Sequence, residues 1–347
     1  MTVTLKDVAR DLGVSVITVS KALRDHSDIS EETKARVLKR VKEMNYRPNL
    51  AARALVTGRT NLLGFVVPEL MNPFFTEIVR GVSAALHGSG YTLVTTSADQ
   101  DAKLEKQVIE QLIARRVDAL LVASTQWTVE IFRRVEEAGI PYILIDRNFA
   151  GLAAHFVGVN DEEVGALATR HLAQVGSKRI AHIGGAEISS VVGRMQGYKR
   201  ALAKLGLVAD PELIVNVERV EELCDEGGYK ATKRLLDMTP RPDGIFCYND
   251  PTAYGAIAAV LEAGLRVPED VAIVGCGNLL YDKFLKIPLT SVDQQTAGIG
   301  EKAGTLALRL IEAGETVPPQ RILLTPKLVV RKSTERVADR ALETARA

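Results

Sequence analysis

Side chains suited to contact with a nucleic acid cluster near the N-terminus, on one predicted helix. If Val19 and Leu23 face inward at helical spacing, Val16 and Ile17 face outward. Two β-branched apolar side chains fit poorly against water, but they can contact thymine methyl groups in a DNA major groove. Lys21 can donate to guanine acceptors on the same face. Hydroxyl groups that could bond to phosphates, and so position the helix without reading bases, come from Ser15, Thr18, Ser20 and Tyr46.

The helix that carries these side chains is the second of a predicted pair. Thr4 and Asp7 have the spacing of a capping box, which opens the first helix. Gly13 ends that helix where a positive φ costs least, and Ser15 caps the second one. Two short helices joined by a tight turn predict a helix–turn–helix unit. The alternative is a helical hairpin that only packs on the rest of the protein.

Two further segments extend this N-terminal region. Ser30 caps a predicted third helix that stops at Asn45, and its apolar face comprises Val37, Leu38, Val41 and Met44. The residues from Leu50 to Val56 have helical character and are followed by Gly58. Such a short helix is not stable alone in water. We therefore expect it to fold only when a partner holds it, as a hinge.

Charge is distributed unevenly along the chain. The 347 residues carry a formal net charge of +1. Residues 1–60 hold 12 Lys/Arg and 7 Asp/Glu, so their net charge is +5, whereas residues 61–347 hold 32 and 36, a net charge of −4. A basic head on a mildly acidic body is typical of a DNA-binding head attached to a body with another role.

After residue 60, apolar strand-like runs alternate with helical patterns. One series covers residues 62–145, and a second begins near Phe156 and ends with a strand at Val271–Val274. One predicted helix of the second series is Gly193–Leu205. Continuous apolar strands between helices predict parallel sheets that are covered on both faces. The predicted fold is an α/β body of two doubly wound parallel-sheet lobes behind an all-α helix–turn–helix head.

Several classes of protein are disfavoured by what the sequence lacks. There is no signal-peptide core and no run near the roughly 18 apolar residues that span a bilayer, so we expect a cytoplasmic protein without a membrane partner. The histidines and the cysteines (Cys224, Cys247 and Cys276) lack metal-ligand spacing, so we expect reduced thiols, no metal and no cofactor. The glycines of GIGEKAG, Gly298–Gly304, miss the dinucleotide fingerprint by one residue and predict a helix start instead. An enzyme is not expected.

Polar and aromatic residues adjoin several predicted strands of the body, at the edge where open α/β sheets bind ligands. Carboxylate, amide and guanidinium groups beside an aromatic platform suit a sugar or another polar small molecule. Ordinary structural roles remain open for each of them, as turn or cap residues, as the partner of a surface acid, or as core. The residues concerned are Phe74, Phe75, Asp146, Arg147, Arg194 and Asn249.

Three runs of sequence resemble the lactose-repressor (LacI/GalR) family of bacterial transcription regulators: TLKDVARDLGVSVITVSKAL, YRPNLAARAL and NLLGFVVPELMNPFF. The resemblance extends from Val3 to about Lys332 and implies a DNA-binding repressor with a periplasmic-binding-protein-like body. The implied parts are a helix–turn–helix domain (1–48), a hinge helix and linker (49–60), a two-lobed effector-binding and dimerisation domain (61–332) and a flexible tail (333–347). The chain would cross between the lobes three times, with the first lobe at 61–160 and 293–320 and the second at 161–292 and 321–332.

The resemblance also assigns residues to an effector site between the lobes. The family uses the positions that match Phe74, Asp146, Arg194 and Asn249, together with the position of Gly277. The last position is usually an aspartate. A carboxylate that would bond to the ligand is therefore missing, unless a neighbouring residue, Asn278 or Asp282, replaces it.

In the implied mechanism, two chains pair through the body as a homodimer. Their Val16–Leu23 helices enter successive major grooves of a pseudo-palindromic operator, and Leu55 opens the central minor-groove step as an apolar wedge. A small-molecule effector changes the closure of the lobes and so favours or disfavours the hinge helices, in a direction that the sequence leaves open. The rival reading is an exported or cytoplasmic solute-binding protein without DNA function, which shares the two-lobed body but has no such head.

Overall fold

The computed structural model describes residues 3–47, 54–55, 57–126, 128–217, 224–314 and 317–336. Most of the predicted hinge helix at 50–56 and most of the predicted tail at 333–347 lie outside the described residues. The chain forms two compact units, Met1–Asn61 and Leu62–Ala347, which we call the head and the body.

The head is built from three helices: α1 (Leu5–Leu12), α2 (Val16–Leu23) and α3 (Glu31–Glu43). The predicted caps are confirmed, because the side-chain oxygens of Thr4, Ser15 and Ser30 accept backbone N–H groups of the first turns. Gly13 and Asn45 have φ angles of 67° and 50°, as expected for left-handed stops. Local sequence signals therefore set the bounds of these helices.

Apolar side chains from all three helices form the core of the head. The buried members are Val8, Ala9, Val19, Ala22 and Val37. The prediction that Leu38 joins them is wrong, because 49% of Leu38 is exposed. Only the neighbouring stripe through Val37 and Val41 turns inward on α3, so Leu38 falls beyond the buried face.

A helical turn follows in the last part of the head. Ala54, Leu55 and Thr57 are helical, and the N–H of Gly58 donates to the Ala54 carbonyl at 2.8 Å. Gly58 ends the turn with a φ of 71°. This turn is the described part of the predicted hinge segment.

The body alternates strands with helices. Its strands are β1 (Leu62–Val67), β2 (Thr92–Ser97), β3 (Ala119–Val122), β4 (Tyr142–Ile145), β5 (His155–Val159), β6 (Ile180–Gly184), β7 (Ile214–Asn216), β8 (Gly244–Cys247), β9 (Ala272–Cys276), β10 (Thr290–Asp293), β11 (Arg321–Leu324) and β12 (Lys327–Val329). Its helices are α4 (Pro73–Leu86), α5 (Ala102–Ala114), α6 (Glu130–Glu137), α7 (Asp161–Gln174), α8 (Ser189–Lys204), α9 (Cys224–Leu236), α10 (Asp250–Glu262) and α11 (Thr296–Ala313).

These strands form two six-stranded sheets. The first has the order β11-β5-β4-β3-β1-β2 and the second β12-β10-β9-β8-β6-β7. Neighbouring strands are parallel, except that β12 runs antiparallel to β10. The predicted fold class, an α-helical head and two doubly wound lobes, is confirmed.

Both faces of each sheet are buried. In β1, Leu63 and Phe65 join one apolar cluster, whereas Val66 joins the cluster on the opposite face. In β8, Ile245 and Phe246 divide in the same way. This double burial explains why the central strands consist of continuous apolar runs.

The order of strands shows that the chain crosses between the sheets three times. After β10 in the second sheet, α11 and β11 return to the first, and β12 closes the second. The predicted assignment of 321–332 to the second lobe is wrong for Arg321–Leu324, because β11 pairs with β5 in the first sheet. β11 is a half-exposed edge strand, so it lacks the continuous apolar run that marks a central strand.

Helix α11 packs closely on α4 in the first lobe. A Cβ at Gly81 would lie 2.2 Å from the Ala297 carbonyl oxygen, and a Cβ at Gly300 would lie 2.2 Å from the Ile78 carbonyl oxygen. A Cβ at Gly304 would lie 2.7 Å from that of Ala85. The glycine spacing of GIGEKAG is thus explained by close contact between two helices.

Two further features bear on the class of protein. None of the described helices is long and apolar enough to cross a lipid bilayer. Within the same residues, no group of three or more His, Cys, Asp or Glu side chains could hold a metal ion. Cys247 and Cys276 are free, buried thiols that face opposite apolar clusters of the second sheet.

Candidate functional site

The predicted DNA-reading surface lies on α2. Ile17 is 67% exposed and Val16 is 38% exposed, although both are apolar. Ser15 and Thr18 adjoin them; the Ser15 hydroxyl accepts the Thr18 N–H at 3.0 Å, and the two hydroxyl oxygens are 2.8 Å apart. Capping therefore occupies part of the bonding capacity of these hydroxyls, and an apolar patch remains open to solvent.

Lys21 lies on α2 and forms an ion pair with Asp28. His26 also contacts this carboxylate, with 2.7 Å between Nδ1 and Oδ1. The hydrogen bond from Lys21 is the main reason that the pKa of Asp28 lies below its usual value. Arg24 donates to the Ser20 hydroxyl at 3.3 Å. Lys21 is thus paired with Asp28 on the surface. A phosphate or a base that binds Lys21 would have to replace Asp28 as its partner.

The remaining predicted DNA contacts differ in their surroundings. Tyr46 is half-buried and packs against the core of the head, and this burial raises its pKa. Leu55 lies in the helical turn and is 83% exposed.

Arg194, one of the predicted ligand residues of the body, is only 5% exposed and gathers polar groups around it. Its Nε donates to Asp161 Oδ1 at 3.0 Å and its Nη1 donates to the Tyr248 carbonyl at 2.6 Å. Its Nη2 lies 3.8 Å from Asp146 Oδ1. Asp146 follows β4 of the first sheet, whereas Arg194 belongs to the second lobe. The structure therefore brings two of the predicted effector residues together across the lobes.

The placement of Arg194 corrects one prediction. The sequence predicts it at the start of a helix at Gly193–Leu205, but α8 begins at Ser189 and Arg194 lies in its second turn. Polar Ser189 and Ser190 resemble a loop in sequence, which hides the first turn of the helix. A Cβ at Gly193 would lie 2.7 Å from Asp161 Cβ, so this glycine allows α8 to approach α7 closely.

Burial controls the electrostatics around Arg194. It raises the pKa of Asp146, and it raises the pKa of Asp161 to about 7, while Arg194 opposes both shifts. Two carboxyl groups thus share one guanidinium in a site with little water, and Asp161 changes charge near neutral pH.

Other polar contacts cross or line the same cleft. The backbone N–H of Asn148, in the first lobe, donates to the Ser189 hydroxyl of the second lobe at 2.9 Å. Ser190 and Gln294 lie beside Asp146 and counteract the rise of its pKa, and Gln294 Oε1 accepts the Cys276 thiol at 3.3 Å. Asp146 has a φ of 60°, a backbone conformation that is uncommon outside glycine and is enriched at functional sites.

The other predicted effector residues are less available to a ligand. Arg147 donates to the Ser124 carbonyl at 2.9 Å within the first lobe. Asn249 caps α10, since its side-chain oxygen accepts the Thr252 N–H at 2.9 Å. Phe74 and Phe75 form an edge-to-face pair, with centroids 5.1 Å apart, and both belong to the buried apolar cluster of the first lobe.

Gly277 occupies a position with no room for a side chain. Its φ is 141°, and a Cβ there would lie 2.7 Å from Asp250 Oδ2. Neither suggested substitute supplies a carboxylate to the cleft. Asn278 accepts from Arg331 at 2.5 Å, and Asp282 is fully buried and accepts from a tyrosine hydroxyl at 2.7 Å.

Sequence reasoning missed several residues of the cleft: Asp161, Ser189, Ser190, Tyr248 and Gln294. Tyr248 and Gln294 directly follow β8 and β10, whereas Asp161, Ser189 and Ser190 lie in the first turns of α7 and α8. The rule that ligands bind beyond the carboxyl ends of strands points to Tyr248 and Gln294 only.

An α-helical head with a capped helix–turn–helix, joined to two doubly wound lobes with polar groups between them, defines a class of protein: a DNA-binding regulator with a ligand-binding body. Residues 4–49 match the bacterial regulatory proteins of the lacI family, and residues 169–334 match the periplasmic binding protein-like domain. The chain belongs to the LacI family and is a helix–turn–helix transcriptional regulator.

Two relatives illustrate the extent of the similarity. The HTH-type transcriptional repressor PurR of Mannheimia succiniciproducens is 33% identical over 344 residues, which cover 96% of this chain and 99% of the relative. The HTH-type transcriptional regulator RegA of Clostridium saccharobutylicum is 31% identical over 336 residues, covering 96% and 100%.

Solved structures agree with this assignment. The complex of the transcriptional regulator CelR with cellobiose has a TM-score of 0.73 at 30% identity and covers 95% of this chain and 99% of that chain. The lac repressor dimer bound to operator and the anti-inducer ONPF has a TM-score of 0.84 at 25% identity, covering 96% and 99%.

Proposed function

We propose that this protein is a cytoplasmic homodimeric repressor whose affinity for a pseudo-palindromic operator is controlled by a small polar effector bound between the lobes. The observation that carries the proposal is the contact of Arg194 with Asp146, because it joins the two lobes through groups that a ligand can rearrange. No catalytic role is assigned to any residue. A solute-binding protein without DNA function is disfavoured by the exposed apolar start of α2.

Recognition of DNA is assigned to α2 and to the turn around Leu55. Val16 and Ile17 would cover thymine methyl groups, and Lys21 would leave Asp28 to donate to a guanine. The hydroxyls of the predicted phosphate contacts, Ser15, Thr18, Ser20 and Tyr46, would position the head. Leu55 would enter the minor groove as a wedge. The lac repressor dimer bound to operator supports this arrangement at the level of the fold.

The effector site favours an uncharged, hydroxyl-rich molecule such as a sugar. Arg194 is already matched by two carboxyl groups, Asp146 and Asp161, so an added anion would meet unfavourable charge. Asp146, Ser190 and Gln294 provide acceptors and donors within the cleft. The cellobiose complex of CelR supports a carbohydrate ligand for this fold.

Pairing of two chains is supported by an exposed apolar segment in the body. Leu280, Tyr281 and Phe284 are 54%, 62% and 72% exposed within five consecutive positions. Large apolar side chains at this density on a surface mark protein–protein contacts.

The test begins with selection of operator sequences from a random duplex library, using the full-length protein. A thermal-shift screen of sugars, nucleobases and sugar phosphates then identifies the effector. Arg194→Lys retains the charge but not the planar fork that reaches three acceptors, so we expect normal operator affinity and loss of the response to the effector.

Arg200→Lys is the matched control on the same helix, because Arg200 is exposed and pairs with Glu162 at 2.6 Å. We expect this control to respond normally. If Arg194→Lys responds to the effector as the wild type does, the effector binds elsewhere. If the full-length protein selects no duplex sequence, the assignment as a repressor is wrong.

A further inference from the structure

A buried pair of carboxyl groups lies beside the segment that follows β9. Asp250 is the first residue of α10, and Asp282 begins the short 3-10 turn Asp282–Phe284. Both side chains have no solvent exposure. Two aspartates buried together are costly if both are ionised, so the groups around them decide their charge.

Neutral donors satisfy three of the four carboxyl oxygens. The Ser291 hydroxyl donates to Asp250 Oδ1 at 2.6 Å, and the Leu279 N–H donates to Asp250 Oδ2 at 3.1 Å. The Tyr254 hydroxyl donates to Asp282 Oδ1 at 2.7 Å. Among the described residues, no side chain or backbone group donates to Asp282 Oδ2.

Asp250 and Asp282 repel each other electrostatically, and both bond to Leu279: Asp250 Oδ2 accepts the Leu279 N–H, and the Asp282 N–H donates to the Leu279 carbonyl. Ionised carboxylates only accept hydrogen bonds, so a proton between the two buried side chains removes their repulsion. That proton also accounts for the oxygen without another donor. Burial raises the pKa of both groups, in agreement with a retained proton.

Further groups face the pair from neighbouring elements. Arg331 Nη1 lies 4.0 Å from Asp282 Oδ2, but the guanidinium donates to the Leu289 carbonyl at 2.7 Å and to Asn278 Oδ1 at 2.5 Å. The buried thiols of Cys247 and Cys276 lie near Asp250 and, with Tyr254, complete the titratable surroundings.

Leu279 links this pair to the opposite lobe. Its backbone N–H is held by Asp250, and its carbonyl accepts the Asp282 N–H at 3.1 Å. Its side chain is 4% exposed and belongs to the apolar cluster that contains Phe74 and Phe75. The other buried members of that cluster come from the first lobe. One residue of the second lobe is therefore packed into the core of the first.

We propose that Leu279 is a latch between the lobes, and that the proton shared by Asp250 and Asp282 keeps the latch closed. Loss of the proton places two negative charges together in a buried site, and their repulsion displaces the turn that carries Leu279. The inference rests on the proposed function, since it adds a regulator of the same cleft. Gly277 fits this arrangement, because a side chain there would collide with Asp250.

The sign of the pH effect follows from the raised pKa values. The protonated pair stabilises the closed turn fully at low pH, and this contribution is lost as the pH rises through the folded-state pKa. Above that pKa, the opening equilibrium of the turn should increase by roughly tenfold per pH unit for the one shared proton.

The experiment is hydrogen–deuterium exchange of the full-length protein without DNA or effector, corrected for the intrinsic effect of pH. We expect protection of the peptide that spans 277–289 to fall as the pH rises through the raised pKa of the pair. Asp282→Asn supplies a permanent donor to Asp250, so protection of this peptide in the variant should not change with pH. Asp282→Ala should lose protection at every pH.

Two controls isolate the pair. Asp161→Asn removes a carboxyl whose pKa burial raises to about 7, and Asp270→Asn removes an exposed partner of Arg266; both should keep the pH dependence at 277–289. Leu279→Ala should raise exchange severalfold in the peptide of α4, which carries Phe74 and Phe75.

Three results would overturn the proposal. Protection at 277–289 that does not change with pH would exclude the shared proton. Equal loss of protection at 277–289 in Asp282→Asn and Asp282→Ala would show that Asp282 is an ionised partner of Arg331. Unchanged exchange of α4 in Leu279→Ala would exclude the latch. Because neither DNA nor effector is present, failure of the repressor assignment would leave these readings unaffected.

Discussion

Replacement of Asp161 by Asn should change how the stability of the body depends on pH. Asp161 lies against Arg194, and burial raises its pKa to about 7. Because this folded-state pKa lies above the unfolded value, protonated Asp161 stabilises the fold at low pH, and that contribution is lost as the pH rises through about 7. The asparagine keeps the acceptor for Arg194 Nε but cannot ionise.

The magnitude follows from the two pKa values. With about 7 in the folded chain and about 3.9 in the unfolded chain, wild type should lose about 2–3 kcal/mol relative to Asp161→Asn between pH 5 and pH 8. The free energy of unfolding of the body, from urea titrations of the full-length protein at several pH values, measures this difference.

A control variant shows whether the effect belongs to this site. Asp270 pairs with Arg266 on the surface, and this hydrogen bonding lowers its pKa to about 2, so Asp270→Asn should differ from wild type by a constant amount over the same range. If Asp161→Asn also differed from wild type by a constant amount, Asp161 would be ionised throughout. The attraction of Arg194 would then outweigh the burial of this carboxyl group, and the reasoning from burial would be refuted.

Three further substitutions test other parts of the protein. Leu55→Ala should weaken binding to the selected operator while effector binding stays intact, because an exposed wedge contributes nothing to the body; equal loss of both, by fluorescence anisotropy and calorimetry, would argue against a separable hinge. Lys21→Ala should relax the preference at one base pair by about 1–3 kcal/mol, whereas uniform loss over all sequences would make Lys21 a phosphate contact. Gly81→Ala should destabilise the body by about 1–3 kcal/mol in urea titrations, because its Cβ would lie 2.2 Å from the Ala297 carbonyl oxygen; an unchanged or increased free energy of unfolding, as helix propensity alone would give, would exclude the helix contact as the cause.

Local signals allowed much of the fold to be predicted. Caps such as Ser15 and Ser30 act through their own backbone neighbours, so their spacing is visible in the sequence. Buried central strands such as β4 require apolar residues at every position, which also leaves a clear pattern. Edge strand β11 alternates between exposed and half-buried positions over four residues, and its assignment to the first sheet depends on contacts with a strand about 165 positions earlier.

The candidate site was predicted only in part, for a related reason. Arg194 and Asp146 were identified from their places after strands and from the family resemblance, but their contact with Asp161 depends on how closely α7 and α8 approach at Gly193. The ion pair of Lys21 with Asp28 was not anticipated, because it depends on the loop after α2. Distances between elements are set by packing, which no local pattern specifies.

The return of α11 and β11 to the first sheet has a consequence for biosynthesis. A ribosome releases β1 to β5 long before it releases residues 296–324, which supply the edge strand beside β5 and the helix that lies in close contact with α4. The nascent first lobe therefore exposes the apolar surface around Ile78 and Val82 while the whole second sheet, except β12, is being made. The first lobe is therefore completed only after most of the second lobe has been synthesised. During this interval its exposed apolar surface can aggregate or bind chaperones.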